Sequence, residues 1–402
     1  MTWEIHPAGD TFPSFATDWD HLNEQLYGGH PAFDSRFVGA LLAHFGTGSE
    51  SLCIHRSGEA VDGALILCAR GFGRWALFLP AQTQVGALLI ADARCLATLM
   101  PALPGYAWTI DLLAIDPALE PDWTCLLLPR TTVRHNLTMS VETREDFSSY
   151  WNSRPNNLRK NLRRYRRRSP ELAGTVHLIK HQNGIRAALH RYAKIESAGW
   201  KAKTGTAIGT DNLQGRFYGQ VLEEFAASGQ ARVVELWFDD RLAASRLVVC
   251  HERMWIILKT TYDESLKELA PGRQLLYEAL QLAFADMPAG VVEFYTNATR
   301  DQAEWATHLR YVCHHQLYRN TTVANFHGIA RALRCRFAGG ETAEASLAFD
   351  ATSVAAYRHP AEIPPAMRSL FAAAAGREVE LSPEWFANLQ AAVFGDDDSV
   401  RY

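Results

Sequence analysis

The 402-residue chain has no run approaching the ~18 consecutive apolar residues that a membrane-spanning helix needs. Its first residues, MTWEIHPAGDTF, lack the basic and apolar regions of a secretory signal, so the expected compartment is the cytoplasm. There is no paired Cys-x-x-Cys. The seven cysteines are scattered and sit mostly in apolar runs such as LILC and LVVC, the pattern of buried free thiols rather than of a disulfide framework or zinc site. Strong charge of one sign is also missing: the formal net charge is -4, so the molecule as a whole is no polyanion binder. The G-x-S-x-G elbow, H-E-x-x-H and the Walker loop are absent, which argues against hydrolase, metalloprotease and NTPase chemistry. His314-His315 reads as an edge-strand pair, because no partner ligand stands at metal-binding spacing, and no metal is expected.

What is present is apolar content sufficient for two or three cores. A first strand over 2–6 and helices near 18–27 and 33–44 lead to three short runs, SLCIHR, AVDGALILCAR and RWALFLP. Turn residues at Ser57-Gly58 and Gly71-Phe72-Gly73 make these an antiparallel meander. A helix over 91–100, closed by Pro101 and Pro104, precedes the strand AWTIDLLAI. After TTVRHNLTMSVE, residues 153–172 form a charged helix whose stripe Leu158, Leu162, Tyr165 is surrounded by arginines. The second half repeats this order: strand GTVHLIK, helices over 184–200 and 212–229, and the meander ARVVELWF, LAASRLVVC, MWIILKTTY. A helix after Pro271, the strand VVEFYTN, a helix over 300–309 and the run VCHHQLYRN complete it. No residue-level repeat is detectable; only the element order recurs. The expected class is α/β with a mixed sheet, ending in a helical segment over 328–402.

The organising stretch is 254–285, a strand, a short loop ending in Ala270-Pro271-Gly272-Arg273-Gln274, and a helix. The first helical N–H groups lack intrahelical partners and the dipole is positive there, which makes this turn an anion site or else an ordinary strand-to-helix connection.

The motifs LRKNLRRYRRR, IESAGWKAKTGTAI, YDESLKELAPGRQLLYEALQLA and FYTNATRDQAEW, set in this element order, resemble the GCN5-related N-acetyltransferase (GNAT) superfamily. More narrowly they resemble its tandem FemAB-like and CelD/BioF2-like members. The motifs cover about 158–305; the N-terminal half is similar in element order only. The resemblance implies two tandem GNAT-like domains: a degenerate copy over 1–150, a basic linking helix over 151–172, and a domain over 173–327 that carries the acyl-CoA site. Coenzyme A would lie along Leu258, Lys259 and Thr260. Its pyrophosphate would rest on the turn formed by Ala270, Pro271, Gly272, Arg273, Gln274 and Leu275, held by the backbone N–H groups of the residues other than proline, with Arg273 adding a charged contact.

Glu196, Trp200, Lys201 and Lys203 lie where this fold shapes its acceptor pocket; the bland reading is a helix end with favourable cations. Amine acylation needs a proton acceptor and donors near the thioester oxygen. Alternation along the strand puts Glu293, Tyr295 and Asn297 on one face towards the thioester, as catalytic candidates or as structural residues. Family members show a longer Asp- and Gly-bearing motif with a Tyr-Lys pair here, whereas this chain has Gln302 near the expected lysine.

The expected function is transfer of an acyl group, acetyl by default, from acyl-CoA to an amine of a small-molecule, saccharide or amino-acid-like acceptor. Fem-type use of aminoacyl-tRNA is the alternative suggested by the arginine helix, which otherwise is a solvated or bridging helix or a contact for coenzyme A's phosphate. Against tRNA stand the acidic balance and the lack of room for the helical hairpin of tRNA-using members, so nucleic acid is not an expected partner. A non-catalytic binding protein on the same fold is the third reading. Oligomeric state has no signature in the sequence.

Overall fold

The computed structural model describes residues 2–168, 174–198, 208–209 and 212–328. Two compact units divide the chain, 1–321 and 322–402. The sheet and the helices packed on it belong to the first unit. Apart from Gly328, the helical segment expected over 328–402 lies outside the described residues.

The first half runs β1 (Thr2–Pro7), α1 (Ala8–Tyr27), α2 (Ser35–Phe45), β2 (Glu50–Ser57), β3 (Ala60–Ala69), β4 (Arg74–Leu77), β5 (Leu88–Ile90), α3 (Leu96–Ala102), β6 (Thr109–Ile115) and β7 (Arg130–Glu142). Two short helices come next, α4 (Phe147–Ser153) and α5 (Asn156–Arg167). The second half runs β8 (Gly174–Ile179), α6 (Gln182–Ala198), α7 (Leu213–Ala227), β9 (Ala231–Phe238), β10 (Arg241–His251), β11 (Met254–Tyr262), α8 (Pro271–Asp286), β12 (Val291–Glu293), α9 (Arg300–Ala303) and β13 (His308–Tyr318).

One 13-stranded sheet joins the halves in the order β1-β2-β3-β4-β6-β13-β7-β12-β11-β10-β9-β8, with β5 on β3. Each half is an antiparallel meander closed by one parallel pair, β4 with β6 and β11 with β12. A parallel pair needs a crossover, and α3 and α8 supply them. The halves then exchange their last strands: β13 lies between β6 and β7, and β7 between β12 and β13. Helices of the two halves also share a core, where Phe37 of α2 and Phe217 of α7 meet edge to face at 5.6 Å.

Several local expectations change. The segment 131–142, which local pattern assigned to no element, is part of the longest strand, β7, and its partners are distant in sequence. The charged helix expected over 153–172 starts only at Asn156, as α5, and Arg154-Pro155 separates it from α4, because proline disfavours a helical residue before it. In α5, Leu158 and Leu162 are buried and Tyr165 half-buried, so the apolar stripe does dock. The helix expected over 300–309 is only Arg300–Ala303, closed at its start by a Thr299–Gln302 capping box. Residues 308–311 pair with β7 instead. Among the described cysteines, all free, Cys53, Cys68 and Cys250 are buried, Cys95 and Cys313 half-buried, and Cys125 is exposed.

Candidate active site

β11 and β12 pair only through Met254–Val291, Trp255–Val292 and Ile256–Glu293. Beyond Ile256 the strands part, since β12 ends at Glu293 while β11 continues to Tyr262. A β-bulge between Leu247 and Val248 of β10 leaves Leu258 without a register partner and re-aims the rest of β11. The result is a V-shaped opening between the two strands. A cleft of about 900 Å³ lies over it, lined by both halves, including Phe37, Thr83 and Val85 from the first.

The α8 turn forms one wall. Ala270 precedes the helix in the left-handed conformation, φ 48° and ψ 53°, and Pro271 takes the first helical position. Arg273 and Gln274 both direct their N–H groups to the Ala270 carbonyl, at 3.0 and 3.2 Å. The Gly272 N–H has no acceptor among the described residues. Of the nine residues expected around a cofactor, Leu258, Lys259, Thr260, Ala270, Pro271, Gly272 and Arg273 line the cleft. Gln274 and Leu275 do not: the Gln274 side chain turns back to donate to the Leu269 carbonyl at 2.8 Å, and Leu275 is fully buried in the core. Arg273 is committed to Asp301 across the cleft mouth.

On the floor, Arg246 of β10 and Lys259 of β11 face the opening. The Lys259 ammonium lies 3.1 Å from Gln214 Oε1, 3.6 Å from Glu196 Oε2 and 5.4 Å from the Tyr218 ring centre. Glu196 is buried and also accepts from the Ile208 N–H at 2.7 Å and the Tyr192 hydroxyl at 3.2 Å. Its carboxylate is thus held behind the lining. Trp200, Lys201 and Lys203 lie outside the described residues. The lining carries Arg246, Lys259, Lys267 and Arg273 against the single carboxylate of Asp301, so the cleft favours an anionic occupant.

Past the end of β12, the strand alternation expected for Glu293, Tyr295 and Asn297 does not run. Tyr295 adopts φ 45°, which turns the chain, and Asn297 is exposed and outside the lining. Glu293 and Tyr295 nevertheless meet in one buried cluster. Tyr295 donates its hydroxyl proton to Asp116 Oδ2 at 2.9 Å, and His30 Nε2 lies 3.0 Å from the same hydroxyl oxygen. With that proton committed to Asp116, His30 is the donor through Nε2, leaving a bare Nδ1 that has no partner. Burial holds the His30 imidazole down to about 3, so it is neutral. Burial, with the charges of Glu293 and Asp116, drives the Tyr295 hydroxyl well above its usual range.

Arg310 of β13 completes the cluster. It holds Asp116 by two parallel bonds, Nε to Oδ1 at 2.7 Å and Nη2 to Oδ2 at 2.5 Å, and its Nη2 lies 2.9 Å from Glu293 Oε2. That second contact is an ion pair without hydrogen-bond alignment. Burial raises the Glu293 carboxyl to about 7, with Arg310 only partly offsetting it. Asp116, His30 and Arg310 escaped the sequence reading because their contacts span 179 to 265 residues. Arg246 had a signal that could have been used, a lone charge inside the apolar strand LAASRLVVC.

Beside the cleft, α5 contributes Tyr165 to the lining and docks on α8, where Arg166 pairs with Glu278 and stacks 4.3 Å over Tyr277. Lys160, Arg163, Arg164, Arg167 and Arg168 surround a shallow depression of about 310 Å³ on its outer side. Among the described residues, no group of three or more His, Cys, Asp or Glu side chains could hold a metal, and no helix is long and apolar enough to cross a membrane.

Residues 156–307, from the start of α5 to the residue before β13, match the family model described as an acetyltransferase (GNAT) domain. This stretch is similar to a GNAT acetyltransferase domain. The match spans less than half of the chain and supports an acyltransferase; the element order of the matched half recurs in the first half. Among solved structures, FemX superposes with a TM-score of 0.54 at 10% identity, covering 81% of this chain and 99% of that one. The C-terminal domain of a putative lysylphosphatidylglycerol synthetase from Agrobacterium fabrum gives 0.50 at 10% identity, covering 80% and 97%. Likenesses this remote in sequence speak for the fold. No curated protein matches the chain. The β11–β12 opening and the α8 turn both fall inside the GNAT domain; β13, with Arg310, falls just outside it.

Proposed function

We propose that the GNAT domain transfers an acyl group from a coenzyme A thioester to an amine, by direct attack and without a covalent enzyme intermediate. The observation that carries this reading is the opening between β11 and β12, which ends at the unpaired N–H of Gly272 with four basic side chains in the lining. The space where β11 and β12 part suits an extended arm, and the α8 turn suits a diphosphate. Coenzyme A would supply the activated thioester.

On this reading the amine nitrogen attacks the thioester carbonyl, the C–S bond breaks, the amine releases a proton and the thiolate gains one. Tyr295 lines the cleft, but Asp116 and His30 fix its hydroxyl, so it positions rather than titrates. Glu293 sits just behind it with a carboxyl that titrates near 7, which suits a proton acceptor reached through water. The acceptor enters over Lys259, which Glu196 backs from behind the lining.

The basic outer side of α5 supports a second reading, Fem-type transfer from aminoacyl-tRNA, because its cations lie beside the cleft. A thermal-shift comparison separates the two. The first reading predicts stabilisation by coenzyme A and acetyl-CoA at physiological salt. Stabilisation by charged tRNA alone, falling steeply with salt, would favour the second; no response to any acyl-CoA would sink the first.

A further inference from the structure

Arg246 lies in the middle of β10, 7% exposed, within a run of small and apolar side chains that are buried around it. Nη1 donates to Thr260 Oγ1 at 2.9 Å and Nη2 to the Gly272 carbonyl at 3.2 Å. Nε has no acceptor, and no carboxylate among the described residues comes within ion-pairing distance of the guanidinium. Elsewhere the fold compensates its buried guanidinium groups: Arg232 pairs with Asp286 at 3.1 Å, and Arg310 with Asp116 and Glu293. Lys259, on the adjoining strand, has Glu196. Arg246 alone among these faces the cleft without a counter-charge.

An uncompensated buried cation is costly, and it persists where something else supplies the negative charge. Burial lowers the Arg246 guanidinium only to about 10, so it stays charged at neutral pH. Its bond to the Gly272 carbonyl sets it directly beneath the first turn of α8, where the helix field also favours an anion.

We propose that Arg246 is the counter-charge for a compact oxyanion, carboxylate or phosphate, carried by the substrate that occupies this cleft. The inference rests on the cleft being the substrate site and narrows the substrate class: a neutral ligand leaves the guanidinium uncompensated, and an anionic one is selected. A planar carboxylate matches the guanidinium fork; a single phosphate group does so too. Arg246 is then a specificity residue, bound to the reacting molecule but remote from the proton transfer at Glu293.

The test uses the full chain and simple probes. Thermal unfolding of wild type, R246Q and R246K is followed with sodium acetate and with sodium pyrophosphate, each against sodium chloride at matched ionic strength. Wild type should gain about 3 °C or more over chloride, R246Q should gain nothing, and R246K should bind the stabilising anion at least tenfold more weakly. Acetate acting more strongly indicates a carboxylate on the acceptor; pyrophosphate acting more strongly indicates a phosphate group. No gain in wild type with either anion overturns the proposal. So does an equal gain in R246Q, which would place the anion elsewhere, as on the outer side of α5. If R246Q fails to fold, unchanged anion affinity in R246K overturns it. A parallel titration with coenzyme A keeps the two claims apart. Anion effects without a coenzyme A response count against the donor, not against Arg246; a coenzyme A response with no Arg246-dependent anion effect counts against Arg246 alone.

Discussion

Arg310 grips Asp116 through two parallel hydrogen bonds across the strand exchange, tying β13 of the second half to the residue just past the end of β6 of the first. The carboxylate is buried, and Tyr295 shares one of its oxygens. Substituting Asp116→Ala leaves a largely buried guanidinium with only the Ser140 hydroxyl at 3.2 Å and the misaligned Glu293 contact, so stability should fall by about 3–5 kcal/mol. Urea unfolding measures it; a loss under about 1 kcal/mol would mean that water replaces the carboxylate freely.

Two carboxyls face this one guanidinium and titrate in opposite directions. For Asp116, burial alone would raise the pKa, but the Arg310 bonds and charge, with the Ala118 N–H, carry it below 3.8. Its contribution to stability is present above that value and is lost as pH falls through the lower folded value. For Glu293, burial dominates and raises the pKa from 4.5 to about 7. The folded state then binds the extra proton, so this contribution is full below 4.5 and is lost as pH rises through about 7. Wild type should therefore lose roughly 2–3 kcal/mol between about pH 4.5 and 7.5 relative to Glu293→Gln. Parallel stability curves for the two proteins would contradict the Glu293 assignment.

Tyr295→Phe removes one donor to Asp116 and one acceptor for His30 while keeping the ring in the cleft wall. Stability should drop by about 1–2 kcal/mol. Turnover should fall less than tenfold, because the hydroxyl is anchored rather than titrating; a loss of ~10²–10⁴ is what a proton-transferring group would show. Steady-state kcat at several pH values distinguishes the two.

Ala270 occupies the left-handed region with a β-carbon, which costs roughly 1–2 kcal/mol in general. Glycine removes that strain but adds freedom to the unfolded chain, so Ala270→Gly should stabilise by about 0.5–1 kcal/mol. Destabilisation in urea would show that the alanine methyl contributes contacts that outweigh its backbone.

Reversing charge at Arg163, Arg164 and Arg167 together should weaken coenzyme A binding several-fold at low salt and little at high salt, since exposed charges are screened within about 10 Å at 0.1 M. Equal weakening at both salt levels would point to a structural effect of the substitutions on α5.

Most of the second half's elements were legible because local chemistry sets them. Turn residues at Asp239-Asp240 and Glu252 separate β9, β10 and β11, and Ala270-Pro271-Gly272 starts α8. The α8 turn was readable as a candidate cradle for the same reason. The strand exchange was not, because β7 finds its partners near residues 291 and 308, and no local pattern encodes a pairing at that range. Residue alternation also misled beyond Glu293, where Tyr295 turns left-handed and is held there by Asp116 and His30. The charged cluster was invisible for the same reason as the sheet order: Asp116 and Arg310 lie 194 residues apart.

Calorimetric titration of acetyl-CoA into wild type and Gly272→Glu probes the proposed donor site most directly. Gly272 has ordinary room for a β-carbon, 3.6 Å from Tyr262, so the variant should fold while its carboxylate meets the α8 turn. Measurable binding to wild type and at least a tenfold loss in the variant are expected. Absence of binding to wild type, or equal binding to both proteins, would contradict the claim that this turn holds an acyl-CoA.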